Sequence, residues 1–105
     1  MNESYCIVMT TFSDDAAARR ILERLVEERL AACVQTFPVD SMYRWNGALQ
    51  HESEILAFIK TKESLYESVE GLIRTYHDYE CPEVLRIPVT GGFAPYLGWI
   101  ESQCL

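Results

Sequence analysis

Positive charge is what this sequence has least of: 9 Lys and Arg stand against 16 Asp and Glu, a formal net charge of −7. An acidic surface repels phosphate backbones and anionic headgroups, so neither nucleic acid nor a membrane surface is an expected partner. Long apolar runs are missing as well. The longest, Leu30 to Val34 and Ile55 to Ile59, fall far short of the roughly 20 residues needed to cross a bilayer. The opening Met1-Asn2-Glu3-Ser4 has neither the basic start nor the apolar stretch of a signal peptide. Cys6, Cys33, Cys81 and Cys104 are scattered without a C-x-x-C pair, which fits neither a zinc knuckle nor a dense disulfide framework. A reducing, cytoplasmic location is expected. Catalytic signatures are also lacking: there is no Gly-rich phosphate loop, no G-x-S-x-G elbow and no H-E-x-x-H pair. The expected protein is a binding protein, not an enzyme.

What is present is enough apolar material, 49% of 105 residues, for one core and one domain spanning residues 1–105. Tyr5 to Thr11 is a β-rich apolar run. Ser13 then offers an N-cap hydroxyl, with Asp14 and Asp15 at the positive end of a helix. Ala18, Ile21, Leu22, Leu25 and Val26 recur at helical spacing, and the helix is predicted to end near Leu30. Asn46-Gly47 is a strong hairpin signal, because both residues tolerate the positive φ of a type I′ turn. The arms are Cys33 to Trp45 and Ala48 to Thr61, with Pro38 marking a bulge or an edge. Ser64-Leu65-Tyr66-Glu67 fits a capping box opening a second helix, whose apolar stripe is Leu65, Val69, Leu72, Ile73 and Tyr76. Glu83 to Val89 reads as a last strand, and Pro95 suits the first turn of a short helix, Tyr96 to Ser102. The order β-α-β-β-α-β plus a C-terminal helix predicts an α+β, ferredoxin-like split βαβ sandwich. Its sheet is antiparallel, its central hairpin long, and both main helices lie on one face.

The hairpin is too long for its helices. An arm of 13 residues reaches roughly 43 Å at ~3.3 Å per residue, whereas a first helix of about 17 residues covers only ~25 Å. A helix-free sheet face and a tip carrying Met42, Tyr43 and Trp45 therefore predict association with further copies of the chain.

Chemistry-bearing residues are few. His51 sits in a polar strand start and reads as a surface histidine. His77 belongs to a denser cluster, Tyr76-His77-Asp78-Tyr79-Glu80-Cys81-Pro82, in which a cation site or a general acid/base is conceivable. The competing reading is a helix C-terminus where His77 meets the dipole and the tyrosines pack. An acylphosphatase-like hydrolase on such a sheet needs a phosphate-cradling strand-to-helix loop with an Arg. Thr11-Phe12-Ser13-Asp14-Asp15 is acidic and has neither Arg nor Gly, and fold alone confers no activity.

Five motifs stand in order: Leu30-Ala31-Ala32-Cys33-Val34, Tyr43-x-Trp45-x-Gly47, Ile59-Lys60-Thr61, His77-x-Tyr79-Glu80-x-Pro82-Glu83 and Tyr96-Leu97-x-Trp99. Together they resemble the CutA divalent-cation tolerance family, from about Tyr5 to Ser102. The resemblance implies a homotrimer whose hairpins pack on neighbouring subunits, a link to copper and other divalent metals, and no established catalysis. The trimeric build is similar to that of the PII signalling proteins. This implies an alternative role as a small-metabolite sensor, with Trp45, Lys60, Tyr79, Glu80, Tyr96 and Trp99 around an inter-subunit cleft. A copper site proposed for the family uses a cysteine and two adjacent histidines; the matching positions here are Thr10, Tyr76 and His77. Only His77 is retained as a metal ligand. No cofactor is expected beyond a weakly bound divalent metal such as copper.

Overall fold

The computed structural model describes residues 3–105; Met1 and Asn2, part of the N-terminal stretch read above, lie outside it. Strand β1 (Tyr5–Phe12) leads into helix α1 (Asp15–Glu27). The hairpin strands β2 (Cys33–Trp45) and β3 (Ala48–Lys62) follow. A 3-10 turn (Glu63–Leu65) precedes α2 (Tyr66–Tyr76), then come β4 (Val84–Val89) and α3 (Ala94–Gln103). One antiparallel sheet holds the strands in the order β2-β3-β1-β4. This is the α+β, ferredoxin-like arrangement that the sequence predicts.

The hairpin pairs without interruption from Cys33 opposite Lys60 to Trp45 opposite Ala48. Pro38 faces Ile55 in register. It marks an edge strand and no bulge, since a missing N–H costs little where no neighbour needs it. At the tip Asn46 (φ 51) and Gly47 (φ 79) take the two positive φ values of a type I′ turn.

Alternation along the strands separates two faces. Cys6, Val8 and Phe12 of β1 and Ala57 and Ile59 of β3 point to the core. There they meet Ala17, Ala18, Ile21, Leu22 and Leu25 of α1 and Val69, Leu72 and Ile73 of α2. The opposite face carries no α1 or α2 residue of this cluster. It presents Ile7, Met9, Leu56 and Phe58, half-buried, beside the exposed Phe37, Leu85 and Ile87.

Four local expectations differ. The α1 N-cap is Asp14, whose carboxylate accepts from Ala17 N–H at 2.8 Å, and not Ser13. The helix stops at Glu27 because Arg29 turns left-handed (φ 61) and the Leu30 and Ala31 N–H groups close on the Leu25 carbonyl. The capping box does not form: the 3-10 turn moves the start of α2 to Tyr66, and Ser64 Oγ donates to Glu3 instead. Val26 and Tyr76, expected in the apolar stripes, are exposed, and the Arg24 guanidinium lies 4.4 Å from the centre of the Tyr76 ring.

Candidate functional site

The sheet face away from α1 and α2 holds a groove near the hairpin tip. Register places Ser41 opposite Glu52 and Val39 opposite Glu54, so Ser41, Tyr43, Trp45, Glu52 and Glu54 all project from one side of the arms. The loop after α2 brings Tyr79, Glu80 and Glu83 against them, closing a groove of about 660 Å³. That volume falls within the range of small-molecule sites.

His77 anchors this loop. Its Nε2–H donates to the Thr11 carbonyl at 2.7 Å, and its Nδ1 accepts the Tyr79 N–H at 3.0 Å. The second bond fixes the tautomer, because an Nδ1 that accepts leaves the proton on Nε2. The ring stacks on Phe12 at 5.0 Å, with planes 10° apart. Tyr79, so positioned, donates its phenol to Glu54 Oε2 at 2.6 Å. Burial, then the bond to Glu54, raises the Tyr79 phenol well above its ordinary range. Tyr43 donates to Glu52, and that bond is the main reason its phenol is pushed up to about 12. Burial, and then the Glu54 charge, raises the Glu83 carboxyl. Both phenols therefore remain protonated donors at neutral pH.

The residues do not fit a copper centre. Both nitrogens of His77 are already bonded within the chain. Thr10, at 0% exposure, offers only a neutral hydroxyl on the core side of the sheet, and the ring of Tyr76 is covered by the Arg24 guanidinium. Among the described residues no three His, Cys, Asp or Glu side chains converge as a metal site would require.

The six ligand-site residues expected from the resemblance fall into two groups. Trp45, Tyr79 and Glu80 line the groove. Lys60, Tyr96 and Trp99 form a second cluster: Lys60 Nζ donates to the Tyr96 hydroxyl at 3.3 Å, and the Tyr96 and Trp99 rings stack at 5.6 Å. Lys60 shares strand and face with Glu54 but lies six residues along, roughly 20 Å at ~3.3 Å each. One chain does not bring the two groups together. Sequence reasoning missed Tyr43, Glu52, Glu54 and Glu83 as groove residues. The same-face alternation Glu52-x-Glu54 beside a strong hairpin turn was the available signal.

The family model for the CutA1 divalent ion tolerance protein matches residues 6–103. The chain is 38% identical over 98 residues to "Protein CutA, chloroplastic" of Arabidopsis thaliana, covering 92% of this chain and 54% of that protein. It is 36% identical over 98 residues to the divalent-cation tolerance protein CutA of Thermus thermophilus, covering 92% of this chain and 95% of the relative. The chain spans about half the length of the plant and mammalian relatives it matches. Among solved structures, CutA1 of Oryza sativa superposes with a TM-score of 0.94 at 34% identity, covering 97% of this chain and 94% of the other. CutA1 of Shewanella sp. SIB1 gives 0.93 at 38% identity, covering 99% and 98%.

Proposed function

Since this chain belongs to the CutA1 divalent ion tolerance family, we propose that it is a non-catalytic, cytoplasmic binding protein. It works as a homotrimer in the tolerance of divalent metal ions, copper included. The observation that carries the assembly is the sheet face away from α1 and α2, where Phe37, Leu85 and Ile87 stand exposed beside half-buried Ile7, Met9, Leu56 and Phe58. A contiguous apolar surface of this kind is stable in water when another protein surface covers it. The acidic composition keeps nucleic acid and membranes from being partners.

The link to copper does not run through a tight chelate at His77, whose nitrogens are engaged. Calorimetric titration of the reduced protein should give copper binding that is weak and poorly selective, in the micromolar range or weaker by order of magnitude. His77→Ala should loosen the Tyr79 loop without removing a tight site. Tight, one-per-chain binding that His77→Ala abolishes would refute this. Tolerance itself is tested in a bacterial strain made copper-sensitive by loss of its own family member. Expression of this chain should restore growth on copper, and an assembled protein that restores nothing would sink the proposal.

A second reading, a PII-like sensor of a small metabolite, is favoured by one observation. The groove of about 660 Å³ is lined by Trp45, Tyr43 and Tyr79, with polar groups held in fixed directions. It is a binding site in search of a ligand more than a site of bond-making.

A further inference from the structure

Helix α3 is held differently from the other two. α1 buries Ala17, Ala18, Ile21, Leu22 and Leu25, and α2 buries Val69, Leu72 and Ile73, whereas α3 buries only Ile100. Its other attachments are mainly polar bonds at the base of the sheet, and Arg29 is at their centre. Arg29 is a non-glycine residue in the left-handed region (φ 61), where a Cβ crowds the backbone and a glycine would not. Its exposed side chain forks onto the end of α3. Nε–H donates to the Gln103 carbonyl at 3.0 Å, and an Nη2–H donates to the Ser102 carbonyl at 2.8 Å. Both carbonyls belong to the last turn, where no partner exists inside the helix, and the guanidinium charge suits that negative end. The Arg29 carbonyl in turn accepts the Leu105 N–H at 3.0 Å. Cys104, in the same tail, is 8% exposed and lies 3.9 Å from Thr61 Oγ1, whose hydroxyl donates to the Leu30 carbonyl at 2.6 Å. Further back along α3, Glu101 accepts from the Tyr5 hydroxyl at 3.1 Å, and the Tyr96 hydroxyl accepts from Lys60 Nζ at 3.3 Å.

We propose that α3 is a strap that opens and closes as a unit over the base of the folded sheet, with Arg29 as its clasp. A helix with one buried side chain opens locally at low cost, while α1, α2 and the sheet keep the core they share. The planar guanidinium makes two parallel bonds to the helix end, which the point charge of a lysine ammonium could not reproduce. Closed, the strap lays the Tyr96 ring 5.4 Å from the Lys60 ammonium and covers Cys104. Open, it bares both to solvent. With Arg29 in its left-handed conformation, the side chain and the carbonyl of that one residue both meet residues 102–105. A glycine at position 29 would end α1 without the steric cost but would not hold α3, so the strain is kept for the clasp.

Hydrogen exchange on the full chain, read beside peptide-resolved alkylation with iodoacetamide, tests the strap. In the wild-type protein the amides of Gly98 to Gln103 should be about tenfold or more less protected than those of Ile21 to Leu25. Cys104 should be alkylated through the same opening while Cys6, 1% exposed in the shared core, is not. Arg29→Ala should lower α3 protection about fivefold further and raise Cys104 alkylation alike, with Ile21 to Leu25 changed by less than about twofold. Arg29→Gly should do the same although it relieves the left-handed turn, and Arg29→Lys should fall between wild type and Arg29→Ala. If Arg29→Ala and Arg29→Gly fail to fold, Arg29→Lys carries the test: a loss of about twofold or more confined to α3 and Cys104 supports the clasp, and no loss overturns it. The proposal is also overturned if wild-type α3 is as protected as α1, or if Arg29→Ala leaves α3 and Cys104 unchanged. Wild-type α3 protection in Arg29→Gly would make the turn the whole role of Arg29 and overturn it too. So would a loss that spreads equally to α1, as global destabilisation does.

Discussion

The Cys6 thiol is 1% exposed, at the core end of β1. Burial, with the Glu63 charge as a lesser cause, raises it from its ordinary 9.0 to about 11. As pH rises between those values the unfolded chain releases this proton while the folded chain keeps it. The stability tied to the neutral thiol is therefore complete below pH 9 and lost as pH climbs through about 11. Urea unfolding at fixed protein concentration should show the wild type weakening from pH 9 upward. Cys6→Ala should give a flatter profile between pH 9 and about 10, before unfolded tyrosines begin to ionise. Parallel profiles would mean that Cys6 contributes nothing. At the other end of β1, Asp14 caps α1 through the Ala17 N–H. Asp14→Ala should cost about 1 kcal/mol, and Ser13→Ala no more than about 0.5 kcal/mol. Equal losses in the two variants would return the cap to Ser13. Both residues carry capping oxygens, so side-chain chemistry alone could not choose between them. The loop geometry after Phe12 chooses Asp14, whose backbone is extended (φ −159).

At the scale of elements, the hairpin was legible because its signal is local. Two adjacent residues supply the positive φ values, and the arms need nothing else to fix their register. Gly47→Ala places a side chain at φ 79, a strain of about 1 kcal/mol. Hydrogen exchange at the tip amides should lose roughly fivefold of its protection, while amides of β1 keep theirs. Unchanged tip protection would show that the turn is held by something other than its own dihedrals. The ends of helices were less legible than their middles. Arg29 carries no glycine-like signal for a left-handed turn, yet it ends α1 there because two N–H groups gain the Leu25 carbonyl. Val26 and Tyr76 fit the helical stripes by spacing. Each lies at the margin of the face that meets the sheet, so burial stops short of them. The groove was hardest to read. Tyr79 reaches Glu54 across 25 positions of sequence only because His77 is pinned to the Thr11 carbonyl, and no motif at either end announces that bond.

For the whole molecule, the face away from α1 and α2 runs from an acidic, aromatic groove near the tip, through an apolar middle, to Lys60 and the Tyr96 of α3 toward the base. Opposite charge at the two ends of one apolar surface favours a neighbour whose Lys60 end approaches the acidic end, and it disfavours like ends meeting. The apolar middle is where the assembly is most easily tested. Ile87 pairs with Ile7 on this face and is 39% exposed in the single chain. An aspartate at position 87 would keep its charge in water, so Ile87→Asp should leave the subunit folded. Inside an interface the same carboxylate would be buried without a partner, at a cost of several kcal/mol by order of magnitude, repeated once for every copy. Light scattering coupled to gel filtration should give about three times the 12.1 kDa chain mass for the wild-type protein. Ile87→Asp should fall to the single-chain mass with its helical circular dichroism intact, and Leu85→Asp should behave alike. A wild-type protein that elutes as a folded monomer would remove the assembly altogether. Variants that keep the wild-type mass would move the interface off this face and leave its exposed apolar residues unexplained.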